Sequence, residues 1–156
     1  MFIISSVISS IRILKGDEGQ FLREEHWRAV KLLRDELTQH RIEYKKPNRA
    51  SHVTTVELGS AKMADHVMGE MNRRGYYVQG KGTFFVSWSI LKIRYFIKNF
   101  SAIKHPTVPM GEEMLRLTVS PAHLKHERMI PRFVENLSES LLTPPEGVSL
   151  TRFNIH

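Results

Sequence analysis

The 156-residue sequence contains no cysteine, which excludes a disulfide framework and any zinc site built on thiolates. No stretch reaches the roughly 18–20 apolar residues that a membrane span requires. The apolar start, residues 1–8, has neither the basic region nor the cleavage site of a signal peptide, and no transit peptide is visible. Glycine-rich phosphate loops and a Gly-x-Ser-x-Gly elbow are also absent. What is left is one globular domain, or a piece of a larger protein, without a membrane span.

Acidic side chains are few: 16 Asp and Glu stand against 23 Lys and Arg, which gives a formal charge of +7. Two interpretations are open, a basic surface that faces anionic small molecules and a nucleic-acid-binding domain. No helix-turn-helix, zinc or RNP-type signature accompanies the basic residues, so no nucleic-acid partner is predicted. His123 and His126 lie three residues apart without a surrounding set of carboxylates and histidines, so no metal site is predicted either.

Apolar residues at helical and strand spacing predict an α+β fold. The predicted elements are helices over 17–40 and 61–74, strands over 52–58, 76–79 and 114–118, and a last helix with Ile130, Phe133, Val134, Leu137 and Leu141 on one face. Pro131 predicts a break between a short first turn and the main part of this helix. The expected architecture is a small sandwich, with helices covering one face of a mainly antiparallel sheet. One domain is expected over residues 1–142, followed by a loose tail over 143–156.

One run of sequence, residues 105–117, joins a rigid loop to a charged strand. Pro106 and Pro109 bracket Thr107, and Arg116 then interrupts an otherwise apolar strand. A guanidinium is costly to bury without an anion, and its fork of donors matches a carboxylate. Two interpretations follow. In the first, Arg116 is a solvent-facing residue of an edge strand and Thr107 is a loop residue. In the second, Arg116 clamps a substrate carboxylate, and Thr107 offers its hydroxyl to a second acyl or carboxylate group.

The same run resembles a known family. Residues 105–116, His-Pro-Thr-Val-Pro-Met-Gly-Glu-Glu-Met-Leu-Arg, are similar to the Tyr-Pro-Thr-Val-Pro-Arg-Gly-x-Glu-x-Leu-Arg block of the 5-aminolevulinate synthases. Residues 10–15, the long helix after them, residues 77–79 and residues 133–137 match in the same order. The resemblance covers most of residues 2–142. This family belongs to the α-oxoamine synthases, a branch of the fold-type I pyridoxal-phosphate (PLP) enzymes.

The resemblance implies a place in a larger enzyme. The chain would be the small C-terminal domain of a protein that condenses glycine with succinyl-CoA to 5-aminolevulinate, at the first step of haem and other tetrapyrrole synthesis. The full enzyme uses PLP, works as a homodimer and resides in the mitochondrial matrix in animals. By the family pattern, Arg116 binds the glycine carboxylate and Thr107 binds the succinyl carboxylate.

The chain also departs from the family pattern. The family's catalytic lysine, which forms the Schiff base with PLP, lies upstream and is missing here, as are the residues that grip the cofactor. No catalytic or cofactor-binding residue is therefore assigned in this chain, and alone it is expected to bind no PLP and to be inactive. Met110 replaces the family's arginine, and His105 replaces its tyrosine.

Two alternative functions stay open. Other α-oxoamine synthases, such as glycine acetyltransferase or serine palmitoyltransferase, use acyl donors without a distal carboxylate. The Pro-Thr-Val-Pro block therefore favours succinyl-CoA over those donors. The second alternative is a non-enzymatic basic interaction module, which steeply salt-dependent binding to nucleic acid would favour.

Residues 80–101 have no counterpart in the family pattern. They separate residues 77–79 from residues 102–105, which are contiguous in that pattern, and much of the segment is aromatic and β-branched without a clear period. Our hypothesis is a translated intron, and a lineage-specific hairpin is the rival interpretation. Because the family's small domain packs on a large one, the sequence also predicts bare apolar surface on this chain.

Overall fold

Helices and antiparallel strands make up the part of the chain that the structure, a computed structural model, describes: residues 2–46, 51–76 and 100–148. In chain order these elements are α1 Phe2–Lys15, α2 Asp17–Gln39, β1 Val53–Glu57, α3 Ala61–Arg73, β2 Phe100–Ile103, β3 Met114–Thr118, a 3-10 helix Pro121–Lys125, and α4 Met129–Leu142. Within the described ranges, no helix has the length and apolar character needed to cross a membrane.

β3 is the central strand of the sheet, with β1 and β2 antiparallel on either side of it. Its side chains alternate, so that Leu115 and Leu117 are buried whereas Arg116 is exposed. On β1, Val56 lies opposite Leu115 and Thr54 lies opposite Leu117, and both are buried as well. The sheet therefore packs one face against the helices and presents Arg116 on the other, which confirms the predicted α+β architecture.

Local sequence signals explain where the helices begin. α2 starts after Gly16 with Asp17 and Glu18 in its first turn, where carboxylates interact favourably with the helix dipole. α3 starts after Ser60, whose Oγ accepts a hydrogen bond from the Met63 N–H at 3.2 Å. The buried apolar side chains of the three long core helices are Ala29, Val30, Leu33 and Leu37 in α2, Met63, Ala64, Val67 and Met71 in α3, and Ile130, Phe133, Val134, Leu137 and Leu141 in α4.

Pro131 does not break the last helix, and the predicted break is therefore wrong. α4 runs without interruption from Met129 to Leu142, and Pro131 is its third residue. Proline lacks an N–H, but the N–H groups of a first helical turn have no acceptor within the helix, so no hydrogen bond is lost there.

Two elements are missing from the sequence prediction. One is α1, and the other is β2, whose first two residues, Phe100 and Ser101, fall within the segment assigned to the insert. Tyr76 lies outside any strand. The rest of the strand predicted over 76–79, and nearly all of the insert, lie outside the described residues.

Apolar side chains lie exposed along α1 and the first half of α2, which confirms the predicted bare surface. Their exposed fractions run from 41% to 67%. They are Ile4, Val7, Ile8, Ile11, Ile13, Leu14, Phe21, Leu22 and Trp27. Leu22 is thus exposed, unlike the apolar residues Ala29, Val30, Leu33 and Leu37 further along α2, which are buried.

Val148, six residues after α4, packs against the core. Its N–H donates to the Pro145 carbonyl at 3.2 Å. Residues 149–156 lie outside the described ranges, so a loose tail there stays a prediction.

Gly19 lets the end of α1 approach the first turn of α2. A Cβ at this position would lie 2.5 Å from the carbonyl oxygens of both Ile13 and Leu14, which real Cβ atoms do not tolerate. Arg23 completes the junction, since its Nη1 donates to the Leu14 carbonyl at 2.7 Å. Such a donor satisfies one of the carbonyls that a helix end leaves without an intrahelical partner.

We expect Gly19→Ala to lower the thermal unfolding midpoint, because the backbone of α1 must shift away, at a cost of roughly 1–3 kcal/mol. Gly69→Ala is the matched control, since a Cβ at this helical position in α3 meets nothing within 4 Å. Removing the backbone freedom of Gly69 should stabilise the chain by roughly 0.5–1 kcal/mol. Circular dichroism melts of both variants measure the difference, and shifts of the same sign would contradict the close α1–α2 contact.

Candidate functional site

A pocket of about 580 Å³ contains both residues that the sequence predicts as a substrate site. Arg116 reaches it from the central strand, and Thr107 reaches it from the loop between β2 and β3. The remaining lining residues come from α3, from β2 and from the residue that follows β2: Asp65, Met68, Ala102, Ile103 and Lys104. The fold therefore brings the two predicted residues together in one concave site.

Arg116 lies opposite Thr55 of β1 and Ser101 of β2. It is not on an edge strand, which corrects one of the two sequence interpretations, because β3 is paired on both sides. The side chain is exposed, and within residues 2–46, 51–76 and 100–148 no carboxylate forms an ion pair with it. A permanently charged fork of donors thus faces the pocket with its charge unmatched by the described side chains.

Backbone hydrogen bonds between residues three positions apart shape the loop that carries Thr107. The Thr107 N–H donates to the Lys104 carbonyl at 2.9 Å, and the Glu112 N–H donates to the Pro109 carbonyl at 3.2 Å. Gly111 has a φ of +89°, a left-handed conformation that favours glycine. Thr107 itself is exposed, so its hydroxyl is accessible from the pocket.

Glu113 fixes this loop to the rest of the domain, a role that the sequence prediction does not include. Its side chain is buried, and its Oε2 accepts a hydrogen bond from the Gly111 N–H at 2.9 Å. Its carbonyl accepts the N–H groups of Leu58 at 2.7 Å and of Gly59 at 3.2 Å. The loop is therefore held to the end of β1. An acidic residue two positions after a loop glycine and directly before an apolar strand is the sequence signal for this role.

Lys104 is the second cation that lines the pocket. Its Nζ donates to Oδ1 of Asp65, which lies on α3. The pair bridges the residue after β2 to the helix that packs beside this strand. Lys104 is therefore matched by a carboxylate, whereas Arg116 has no such partner within the described ranges.

The described lining of the pocket offers no unpaired lysine for PLP. A Schiff base needs a free lysine amine, and the lysine among the described lining residues is paired with Asp65. The described residues are suited to hold a carboxylate and supply no attachment point for the cofactor.

His123 is a helix cap. Its Nδ1 accepts a hydrogen bond from the Ser120 N–H at 2.8 Å, in a reciprocal capping box with Ser120 at the start of the 3-10 helix. Burial lowers the pKa of His123, and a hydrogen bond with the Ser120 backbone opposes this in part. The folded state therefore favours the neutral form of the ring. Among the described residues no cluster of three potential metal ligands exists.

We expect acid to destabilise the chain through His123. Because its pKa in the folded state lies below the unfolded value near 6.5, the unfolded state binds the proton more readily as the pH falls through that value. The contribution of His123 to the free energy of unfolding is complete above this pH and is lost as the pH falls below it. In His123→Gln, glutamine can retain the capping hydrogen bond without titrating. Urea unfolding at pH 7.5 and 5.5 should show a larger loss for the unmodified chain, and equal losses would contradict this role.

Solved structures place the fold in a class. The chain resembles serine palmitoyltransferase from S. paucimobilis, solved with PLP and myriocin bound, with a TM-score of 0.61 and 17% identity over 85% of this chain and 27% of that one. Serine palmitoyltransferase from Sphingomonas wittichii gives a TM-score of 0.59 at the same identity and coverage. The fold is thus found in fold-type I PLP enzymes, and its share of their length is consistent with the small C-terminal domain.

Sequence comparison finds relatives of higher identity than the solved structures. The chain is 33% identical over 156 residues to the erythroid-specific mitochondrial 5-aminolevulinate synthase of Opsanus tau and 34% identical over 152 residues to that of Homo sapiens. The alignments cover 96% and 95% of this chain but 22% and 20% of those proteins. A non-specific mitochondrial 5-aminolevulinate synthase of Bos taurus matches at 32% identity over 136 residues. No family model matches the sequence. The resemblance to 5-aminolevulinate synthase is therefore confirmed, and the chain spans about a fifth of the relatives it matches.

Proposed function

We propose that the chain forms the substrate-carboxylate site of a 5-aminolevulinate synthase that condenses glycine with succinyl-CoA in haem biosynthesis. The observation that carries this proposal is Arg116, an exposed guanidinium in a pocket where the described residues leave it without a carboxylate. The curated relatives support the same reaction by their names, since they are mitochondrial 5-aminolevulinate synthases. Mitochondrial location and assembly as a homodimer are part of the proposal for the whole protein.

Arg116 holds the glycine carboxylate in this proposal. A planar guanidinium can donate two parallel hydrogen bonds to a carboxylate, which fixes the orientation of a ligand as small as glycine. Orientation matters because a reacting group held in the correct geometry needs no further ordering in the transition state. The neighbouring strands hold the backbone of Arg116 on both sides, so the side chain projects from a rigid base.

Thr107 meets the acyl end of the second substrate. Its hydroxyl donates a hydrogen bond to the distal carboxylate of the succinyl group, and Glu113 holds the loop that presents it. Two carboxylate-directed groups in one pocket favour succinyl-CoA over the acyl donors of other α-oxoamine synthases, which lack a distal carboxylate.

The chain alone supplies binding and orientation in this proposal and no turnover. PLP, when bound to the full enzyme, supplies the electron sink for bond cleavage at the amino-acid carbon. In this proposal, the lysine that carries the cofactor and the residues that grip it belong to the rest of the full enzyme, since the chain spans only 22% of its Opsanus tau relative.

Residues 80–101 remain our proposed translated intron. β2 includes Phe100 and Ser101, which pair with Leu117 and Arg116. Without the segment, Val78 and Gln79 would precede Ala102 directly and could take those two strand positions, so that Gln79 would stand opposite Arg116. The sheet could thus keep its register in a shorter product.

Sequencing the gene and its transcript tests the proposal. We expect an open reading frame upstream of Met1 that encodes a lysine-bearing PLP domain, and a spliced transcript without the codons of residues 80–101. The protein that joins the upstream PLP domain to this chain without residues 80–101 should form 5-aminolevulinate from glycine and succinyl-CoA, whereas the 156-residue chain with added PLP should not.

Arg116→Gln should lower kcat/KM of the joined protein at least about 100-fold, by loss of a charge-assisted bidentate contact.

Arg28→Gln is the matched control for that assay, because Arg28 is an exposed arginine whose ion pair with Glu25 lies on the surface of α2. It should leave kcat/KM unchanged. Product formation by the 156-residue chain, or equal activity of the Arg116 and Arg28 variants, would overturn the proposal.

A further inference from the structure

The ion pair between Lys104 and Asp65 is easily exchanged. The Lys104 side chain is 25% exposed, and the Asp65 side chain is 71% exposed. An ion pair whose carboxylate is so open to water stabilises the fold little, because solvent screens the attraction and the long lysine side chain loses freedom. A carboxylate brought in by a ligand can therefore replace Asp65 at Nζ at little cost.

Lys104 is held beside Thr107. The Lys104 carbonyl accepts the Thr107 N–H at 2.9 Å, so the two residues share one turn, and both side chains line the pocket with Arg116. The Thr107 hydroxyl is neutral and can offer a carboxylate only one hydrogen bond. Met110 adds no charge and is 78% exposed. Within the described lining of the pocket, the positive charge for a second carboxylate therefore comes from Lys104.

We propose that Lys104 binds the distal carboxylate of a dicarboxylic ligand and that Asp65 is its counterion in the empty pocket. This inference deepens the proposed function and rests on Arg116 as the site of the first carboxylate. On binding of a free dicarboxylate such as succinate, the distal carboxylate displaces Asp65 from Nζ and accepts the Thr107 hydroxyl hydrogen bond, while the other carboxylate lies at Arg116, in the position that the glycine carboxylate takes in the proposed function. The pocket consequently selects a dicarboxylate over a ligand of the same shape with one charge.

Succinate and succinamate provide the test, because they differ only by a carboxylate in place of a neutral amide. Their dissociation constants for the 156-residue chain can be measured by NMR titration. We expect succinate to bind more tightly, by at most about fivefold, because one modest ion pair is gained at Nζ while the pair with Asp65 is given up. Lys104→Gln should abolish this preference, and Lys104→Arg should retain it. Asp65→Asn should increase it, because the competing carboxylate is gone.

Lys62→Gln serves as the matched control, since Lys62 is an exposed lysine of the same helix as Asp65 that does not line the pocket. It should leave the preference unchanged, and far-ultraviolet circular dichroism checks that each variant is folded. A folded Lys104→Gln chain that retains the preference for succinate would overturn the inference.

Arg116→Gln separates this inference from the proposed function. It should weaken both ligands while leaving succinate favoured. If it changes neither dissociation constant, the proposed function fails, whereas a preference that depends on Lys104 still supports the inference. If neither ligand binds the unmodified chain at millimolar concentration, both proposals are overturned.

Discussion

The charge of Arg116 constrains which face of the central strand packs against the core. A guanidinium cannot be neutralised, so its strand must direct it away from the core. Leu115 and Leu117, on either side of it, must then point inward, and both are buried. A slip of one residue in the pairing of β3 would exchange the faces and bury the charge. The register with β1 and β2 therefore determines both where the core lies and where an anion can bind.

The pocket depends on how its other groups are attached to this central strand. Glu113 is buried just before β3 and ties the Thr107 loop to the end of β1 by side-chain and backbone hydrogen bonds. Lys104 is joined to α3 through Asp65. Among the described residues, Lys104 thus has a carboxylate partner in the pocket and Arg116 has none. In our proposals, this difference makes Arg116 a permanent carboxylate position and Lys104 an exchangeable one.

Much of this could be predicted from the sequence, because the relevant signals are local. Burial on alternate residues of β3, the Ser60 cap and the apolar stripes of α3 and α4 each follow from near neighbours. α1 was predictable too, since Ile4, Val7, Ile8 and Ile11 follow a helical spacing. β2 and the central place of β3 were not, because strand order depends on contacts between distant residues. The ion-pair partner of Lys104 could not be predicted for the same reason, because Asp65 lies 39 positions away in the sequence.

The central claim is that Arg116 is a carboxylate site and more than a solvent-exposed arginine. The most direct test is an NMR titration with glycine of the chain labelled with ¹⁵N in its arginines. The Nε–Hε resonances are followed, and the Arg116 resonance is assigned by its absence from the spectrum of Arg116→Gln. The account predicts a saturable shift of the Arg116 resonance while the resonance of surface residue Arg28 stays in place. Small, linear shifts shared equally by all arginines would mean general ionic association and would contradict it.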